Sequence, residues 1–324
     1  MRTILKTLII LIVLIFLLAF FGPFIYSNYI DRSSIDPSSS VVYIQNEISG
    51  VVMINDPTLN KTVTLNVNDP LDSGTGEIVS KNGYIITAFH VIGDPSSLQN
   101  GYELKKMDSN DINQYLEQVA VTEYVSKYNP QFGTLINLPT GVRSQNTNYL
   151  TNYLIQSNLI SVNSSKQNIK VKTASSNSYL NAQIVDVGNP SNDEDIALLK
   201  VNANNLPALN ISSNNALFGE PVRIYGYPGN GGNTIKLASS SGTVLTKVVN
   251  DEGIVYYETN APTESGYSGG PTLDNQNRIL GIIIYGVQTS GHFRSQTTSG
   301  DSLFLSSQYL IKICQKNNVP INIS

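Results

Sequence analysis

Three short stretches of this 324-residue chain carry residue types that together could transfer an acyl group. In Ser265-Gly266-Tyr267-Ser268-Gly269-Gly270-Pro271 a hydroxyl stands among glycines. Acyl transfer needs a hydroxyl on a tight turn, N–H groups beside it for the developing oxyanion, and a base within reach. Glycine permits the backbone angles and close approach that such a bend demands. Gly and Ser are also ordinary turn residues, so this segment alone decides little. The base would come from residues 74–94, where a strand, a Lys-Asn-Gly turn and a second strand run into Thr87-Ala88-Phe89-His90. In residues 191–201 Asp195 directly precedes an apolar run, so its carboxylate can be drawn inward while Asp193 and Glu194 stay solvated. A histidine at a strand end or an acid before a strand is by itself usually structural.

The elements that must position these groups read mainly as strands. From Val41 onward, short runs of β-branched and aromatic residues recur between Gly, Asn, Asp and Pro, as in Ile196–Val201, Pro221–Tyr227, Ile254–Asn260 and Ile279–Gly286. This pattern predicts an all-β protein of barrels or sandwiches. Residues 111–128 and 146–160 instead space their apolar residues for helices, which predicts a helical insertion at about 95–165. Residues 306–318 open with serines and repeat apolar residues at helical spacing, predicting a C-terminal helix with Cys314 on its apolar face.

Bulk properties narrow the chemistry. The apolar fraction is 40%, enough for a folded core, and charged residues are only 14% with a net charge of −4. No basic cluster follows the first residues, so no nucleic acid is expected. Cys314 is the single cysteine, and His90 and His292 are the two histidines, which excludes an internal disulfide and supplies zinc poorly. No metal and no cofactor is expected. Residues 8–26 are almost continuously apolar, about 28 Å as a helix, and follow Arg2 and Lys6. We expect a membrane anchor over 1–27, a Ser-rich polar tether over 28–40, and the remaining chain on the extracytoplasmic side. A cleaved signal peptide is the rival reading, against which the run is long and no small-residue cleavage motif follows. Asn60, Asn163, Asn210 and Asn322 head N-glycosylation triplets, which agree with an external location but are common by chance.

Together the three segments resemble the chymotrypsin-like serine peptidases, and most closely the HtrA/Deg group. The motifs are Gly74-Thr75-Gly76 followed by Gly83-Tyr84-Ile85-Ile86-Thr87-Ala88-Phe89-His90-Val91, then Asp195-Ile196-Ala197-Leu198-Leu199-Lys200-Val201, then Gly266-Tyr267-Ser268-Gly269-Gly270-Pro271. The resemblance implies two antiparallel β-barrels, over 41–210 and 211–324, and polypeptide substrates. It also implies Ser268 as nucleophile, His90 as general base and Asp195 as the group that orients the histidine. Gly266 and Ser268 would give the oxyanion-hole N–H groups. Ile284, Tyr285 and Gly286 would pair with an extended substrate, and Pro262 and Thr263 would stand at the specificity pocket. His292 is the rival base but lacks the strand-end context.

The pattern is broken in informative places. Tyr267 precedes the nucleophile where the trypsin branch carries an aspartate that pairs with a new N-terminus, so activation without cleavage is expected. Pro262 takes the place of an acidic pocket base, so small or apolar P1 residues are expected, with Glu264 nearby as the risk. Few residues follow the C-terminal helix, so no PDZ domain is expected. The insertion is then the place for a lid or for contacts in a homo-oligomer. The competing readings are a catalytically silent binding or surface protein on the same fold, and a structural β-sandwich with chance motifs.

Overall fold

The computed structural model describes residues 36–94, 105–131, 147–174, 176, 178–229, 235–284 and 302–324. After a four-residue helix, α1 (Pro37–Ser40), strands β1 (Val41–Asp56), β2 (Lys61–Ser80), β3 (Tyr84–Thr87), β4 (Ile160–Thr173), β5 (Leu180–Val187) and β6 (Ala197–Val201) close an antiparallel barrel in the order β1-β2-β3-β6-β5-β4. Strands β7 (Pro221–Gly226), β8 (Ala238–Val249), β9 (Val255–Thr259), β10 (Pro271–Leu273), β11 (Ile279–Ile284) and β12 (Ser302–Ser306) close a second in the order β10-β11-β12-β9-β8-β7. The expectation of two antiparallel barrels is met. Closure leaves no free sheet edge, and the inward residues fill each interior. Ile44, Ile78, Ile85, Val171 and Leu199 do so in the first barrel, and Ile224, Tyr257, Leu280 and Phe304 in the second.

Strands β1 and β2, at 16 and 20 residues, are far longer than the barrel requires. Their outer halves pair from Gly50–Val67 to Asp56–Lys61, and alternate residues Val63, Leu65 and Val67 turn to one buried face. Helices α2 (Ser109–Lys127) and α3 (Thr147–Gln156) cover that face with Leu116, Val121, Tyr124, Leu150 and Leu154. Asp108 caps α2 in a capping box with Asp111, so the helix starts two residues before the position expected from sequence. Buried Asp56 accepts from the Tyr124 hydroxyl (2.6 Å), the Asn129 amide (2.8 Å) and the Thr58 amide (2.8 Å), which locks the helix to the hairpin. Within the expected 95–165 insertion the described residues hold α2 and α3, and β4 begins at Ile160, inside that range. Among the described residues no helix is long and apolar enough to cross a membrane. The apolar stretch over 8–26 lies outside them.

The C-terminal helix α4 (Ser307–Lys316) starts on Ser306, whose hydroxyl accepts the Gln308 amide, and buries Leu310, Ile313 and Cys314. These residues join Val41, Val79, Ile86 and Leu198 from the first barrel and Tyr225, Leu273 and Ile282 from the second in one apolar cluster. One acid is set into it. Glu77 pairs with Val41 on β1 and Ile86 on β3, so its side chain shares their face. It is fully buried, and neither carboxyl oxygen has a hydrogen-bond partner. Burial raises the Glu77 carboxyl well above its usual range. Burial, with Glu77 nearby, also pushes the Cys314 thiol up to about 12. The folded state thus holds a proton that the unfolded chain releases near pH 4.5, so stability falls as pH rises from there through the raised folded value. Glu77→Met removes both the desolvation cost and the titration. We expect it to gain roughly 1–3 kcal/mol at pH 8 and clearly less at pH 5 in urea denaturation. An equal gain at both pH values would count against this account.

Candidate active site

His90 is placed by the end of β3. The strand stops at Thr87, Ala88 is extended (φ −73°, ψ 141°), and the chain folds into a 3₁₀ turn over Phe89–Val91. Phe89 and Val91 point into the first core, which fixes the turn and leaves His90 beside the loop before β6. Asp195 stands in that loop and holds the histidine twice. Its Oδ1 accepts the His90 amide at 2.9 Å, and its Oδ2 lies 2.6 Å from the imidazole Nδ1. Both residues are buried, at 7% and 5% exposure. Two contacts from one carboxylate fix ring position and leave Nε2 as the free nitrogen. Burial alone would push the imidazole down. The Asp195 charge and hydrogen bond, with the Asp72 carboxylate acting further off, hold it above its usual value.

Ser268 comes from the other barrel. Gly266 (φ +95°) and Gly269 (φ +79°) bracket it in the left-handed region that favours glycine. The bend is pressed against the first barrel. A Cβ on Gly269 would lie 2.3 Å from the Thr75 carbonyl oxygen and 2.6 Å from the Ala88 amide nitrogen, two residues before the histidine. A Cβ on Gly74 would meet the Val91 side chain at 2.6 Å and the Ser268 carbonyl oxygen at 2.9 Å. His90, Asp195 and Ser268 are thus gathered at the junction of the barrels. Among the described residues the Ser268 hydroxyl makes no hydrogen bond to His90, a contact that commonly tightens only when substrate is bound.

The peptide before Gly266 is oriented by the loop after β7, since the Gly229 amide donates to the Ser265 carbonyl at 2.7 Å. In a trans peptide the Gly266 N–H then points the opposite way. Neither this N–H nor that of Ser268 has a partner among the described residues, as an oxyanion site requires. Tyr267 turns into the second barrel, packed over Gly226 with Ile224, Leu280 and Phe304. Thr263 is half-buried with its hydroxyl 2.7 Å from that of Ser302, and Pro262 is exposed. Ile284 closes β11 and packs against both the first core and the interface cluster. Tyr285, Gly286 and His292 lie outside the described residues.

Thr75 is the site residue whose role sequence reading did not assign. Its amide donates to the Ser268 carbonyl at 2.8 Å, and its hydroxyl donates to the Gly266 carbonyl at 2.6 Å. That hydroxyl also accepts the Tyr227 amide at 2.9 Å, while the Thr75 carbonyl accepts the Thr87 hydroxyl at 2.7 Å. One residue therefore touches the nucleophile bend on both sides of Tyr267. The Gly-Thr-Gly motif marks the position, but a hydroxyl with these partners cannot be read without the fold.

Two closed six-stranded antiparallel barrels with a buried His–Asp pair and a glycine-framed serine at their junction are the architecture of chymotrypsin-type peptidases. The comparison with protein families agrees: residues 139–282 match the trypsin-like peptidase domain, and the chain is a serine endopeptidase. The matched stretch contains Asp195 and Ser268, whereas His90 lies before it. Among solved structures the chain is similar to the active form of the Rv3671c protease from M. tuberculosis (16% identity, TM-score 0.48, covering 92% of this chain and 89% of that one). It is also similar to the serine endoprotease from Yersinia pestis (17% identity, TM-score 0.47, covering 87% of this chain and 63% of that one).

Thr75→Val keeps the β-branched shape and removes the hydroxyl, which frees the Gly266 carbonyl and leaves the Tyr227 amide unpaired. We expect kcat to fall roughly 10- to 100-fold, as for the loss of other oxyanion-site support, with KM little changed. Steady-state cleavage of a peptide library substrate reads both. A kcat within twofold of the parent would mean that Thr75 does not hold the bend.

Proposed function

We propose that the chain is a membrane-anchored, extracytoplasmic endopeptidase of the HtrA-like kind that cleaves through a Ser268–His90–Asp195 triad. The observation that carries this reading is the two-point grip of Asp195 on His90, which engages Nδ1 and leaves Nε2 to act as the base. Ser268 Oγ attacks the scissile carbonyl while His90 Nε2 takes its proton, and the Gly266 and Ser268 N–H groups stabilise the oxyanion. Collapse of the tetrahedral intermediate breaks the C–N bond, and His90 gives its proton to the leaving amine. Water, deprotonated by the same nitrogen, then hydrolyses the acyl-enzyme. Asp195 stabilises the imidazolium at each stage.

The departures from the trypsin pattern support two finer readings. Tyr267, anchored in the apolar interior of the second barrel, fixes the bend without a new N-terminus, so the full chain is active as made. Pro262 offers no charge to a basic P1 side chain, so small or apolar P1 residues are preferred. The apolar stretch over 8–26 behind Arg2 and Lys6 supports anchoring with the peptidase domain outside. Carbonate-resistant sedimentation of the full chain with membranes tests it, and recovery in the soluble fraction would remove the anchor from the proposal.

Treating the full chain in detergent with a fluorophosphonate is expected to label Ser268, mapped by mass spectrometry, with labelling lost in Ser268→Ala and reduced at least about 10³-fold in rate in His90→Ala. No label, or label elsewhere, would favour the catalytically silent surface protein. Peptide-library cleavage should run after Ala, Val or Leu, and exclusive cleavage after Lys or Arg would refute the pocket assignment. Because His90 must be neutral to act and its value is raised, kcat/KM should fall on the acid side through a limb above about pH 6.5.

A further inference from the structure

Asp195 sits in a loop whose shape is set from outside its own barrel. The turn over Asn189–Ile196 is tight. Asp193 is left-handed (φ +61°), and its carbonyl accepts the Asp195 amide at 2.8 Å, while the Glu194 carbonyl accepts the Ile196 amide at 2.9 Å. Gly188 lies so close that a Cβ there would be 2.0 Å from the Glu194 carbonyl oxygen. A left-handed residue other than glycine holds its form only where neighbours over-determine it. The neighbours are three side chains of the C-terminal half. The Tyr256 hydroxyl on β9 donates to the Asp193 carbonyl. The Asn250 amide, from the β8–β9 turn, donates to the Asn192 carbonyl at 3.1 Å. Lys312 on α4 pairs with Glu194 at 3.1 Å, and Glu194 is buried by this packing where the sequence suggested a solvated acid. Tyr256 is itself fixed, because the Tyr309 hydroxyl of α4 accepts the amide of the adjacent Val255 at 2.9 Å.

The same Asp193 carbonyl thus joins Tyr256 to the amide of Asp195, and the Asp195 carboxylate in turn grips His90. We propose that Tyr256 is a positioning residue for the His90–Asp195 pair, acting through the Asp193 carbonyl and making the acid's placement depend on docking of the second barrel and α4. Tyr256 touches neither the imidazole nor the nucleophile. Its hydroxyl fixes the peptide from which Asp195 is hung, so its loss lets the carboxylate turn off the Nδ1 axis. The inference rests on the triad reading for its effect on rate, but the grip on the imidazole can be measured without any turnover.

With two histidines in the chain, ¹⁵N-histidine NMR reads the His90 titration directly, its signal assigned by comparison with His292→Gln. The measurement is made on the full chain in detergent carrying Ser268→Ala, so it stands whether or not the parent cleaves peptides. The charged groups acting on His90 are Asp195 and, from β2, Asp72, and both remain in the variant. Tyr256→Phe is expected to lower the His90 pKa by about half a unit or more, because the anionic partner that raises it is less well placed. In the Ser268-containing chain the same change is expected to lower kcat about 10-fold with KM within twofold. Ile224→Val, a core change in the second barrel away from the loop, controls for general loosening and is expected to leave the titration in place. A His90 titration in Tyr256→Phe that superimposes on the parent overturns the proposal, whatever the activity does. So does an equal shift in Ile224→Val. A shifted titration in a chain that neither cleaves nor labels would leave the positioning role standing and sink the peptidase mechanism.

Discussion

The hydrogen bond from the Thr75 amide to the Ser268 carbonyl sets the register between two barrels that each hold only part of the site. His90 and Asp195 belong to the first barrel and Ser268 to the second, so no local rule of strand or turn can bring them together. A displacement of about 1 Å between such groups is enough to cost two orders of magnitude in rate. Thr75 removes that freedom by bonding the bend with both its amide and its hydroxyl, and by bonding Tyr227 at the same time. The glycines follow from this closeness. Gly74 and Gly269 each sit where a Cβ would strike backbone of the other barrel, so the barrels approach at peptide-to-peptide distance.

Contacts this close need a large apolar surface behind them, since hydrogen bonds alone contribute little net stability. The cluster shared by both barrels and α4 supplies it, with Leu198, Ile282, Leu305 and Leu310 fully or almost fully buried. Against that background Glu77 is a local conflict, a carboxyl without partners among aliphatic chains. The left-handed Asp193 is a second, and it lies two residues from Asp195. The surrounding packing offsets such departures from local preference.

The segments that carry His90, Asp195 and Ser268 were legible in the sequence because each is local. A strand ending in His90, an acid before a run of apolar residues, and a serine between glycines are patterns of neighbours along the chain. The helices were legible for the same reason: apolar spacing over 111–128 and 306–318 finds α2 and α4 to within a few residues at each end. What could not be read depends on register between distant strands. Thr75 meets Gly266 across 191 positions, and Tyr256 meets Asp193 across 63. A tyrosine on a half-buried strand gives no hint of the carbonyl it will face. The outer halves of β1 and β2 were equally hidden, since alternation in Thr62–Val67 announces a strand with one buried face but not that helices will cover it.

The family match begins at residue 139, within the long segment between the His90 turn and β4. The two ends of that segment stay close in space. Closing a longer loop costs only slowly more entropy, so such a segment is tolerated if its ends are pinned. They are. The Gly93 carbonyl accepts the Asn46 amide on β1, and the Ile92 carbonyl accepts the Gln167 amide on β4 at 2.7 Å. The Tyr115 hydroxyl of α2 donates to Asp94 at 2.9 Å. The segment that follows His90 is thus bonded to β1, to β4 and to the inserted helix, while Asp195 holds His90 itself.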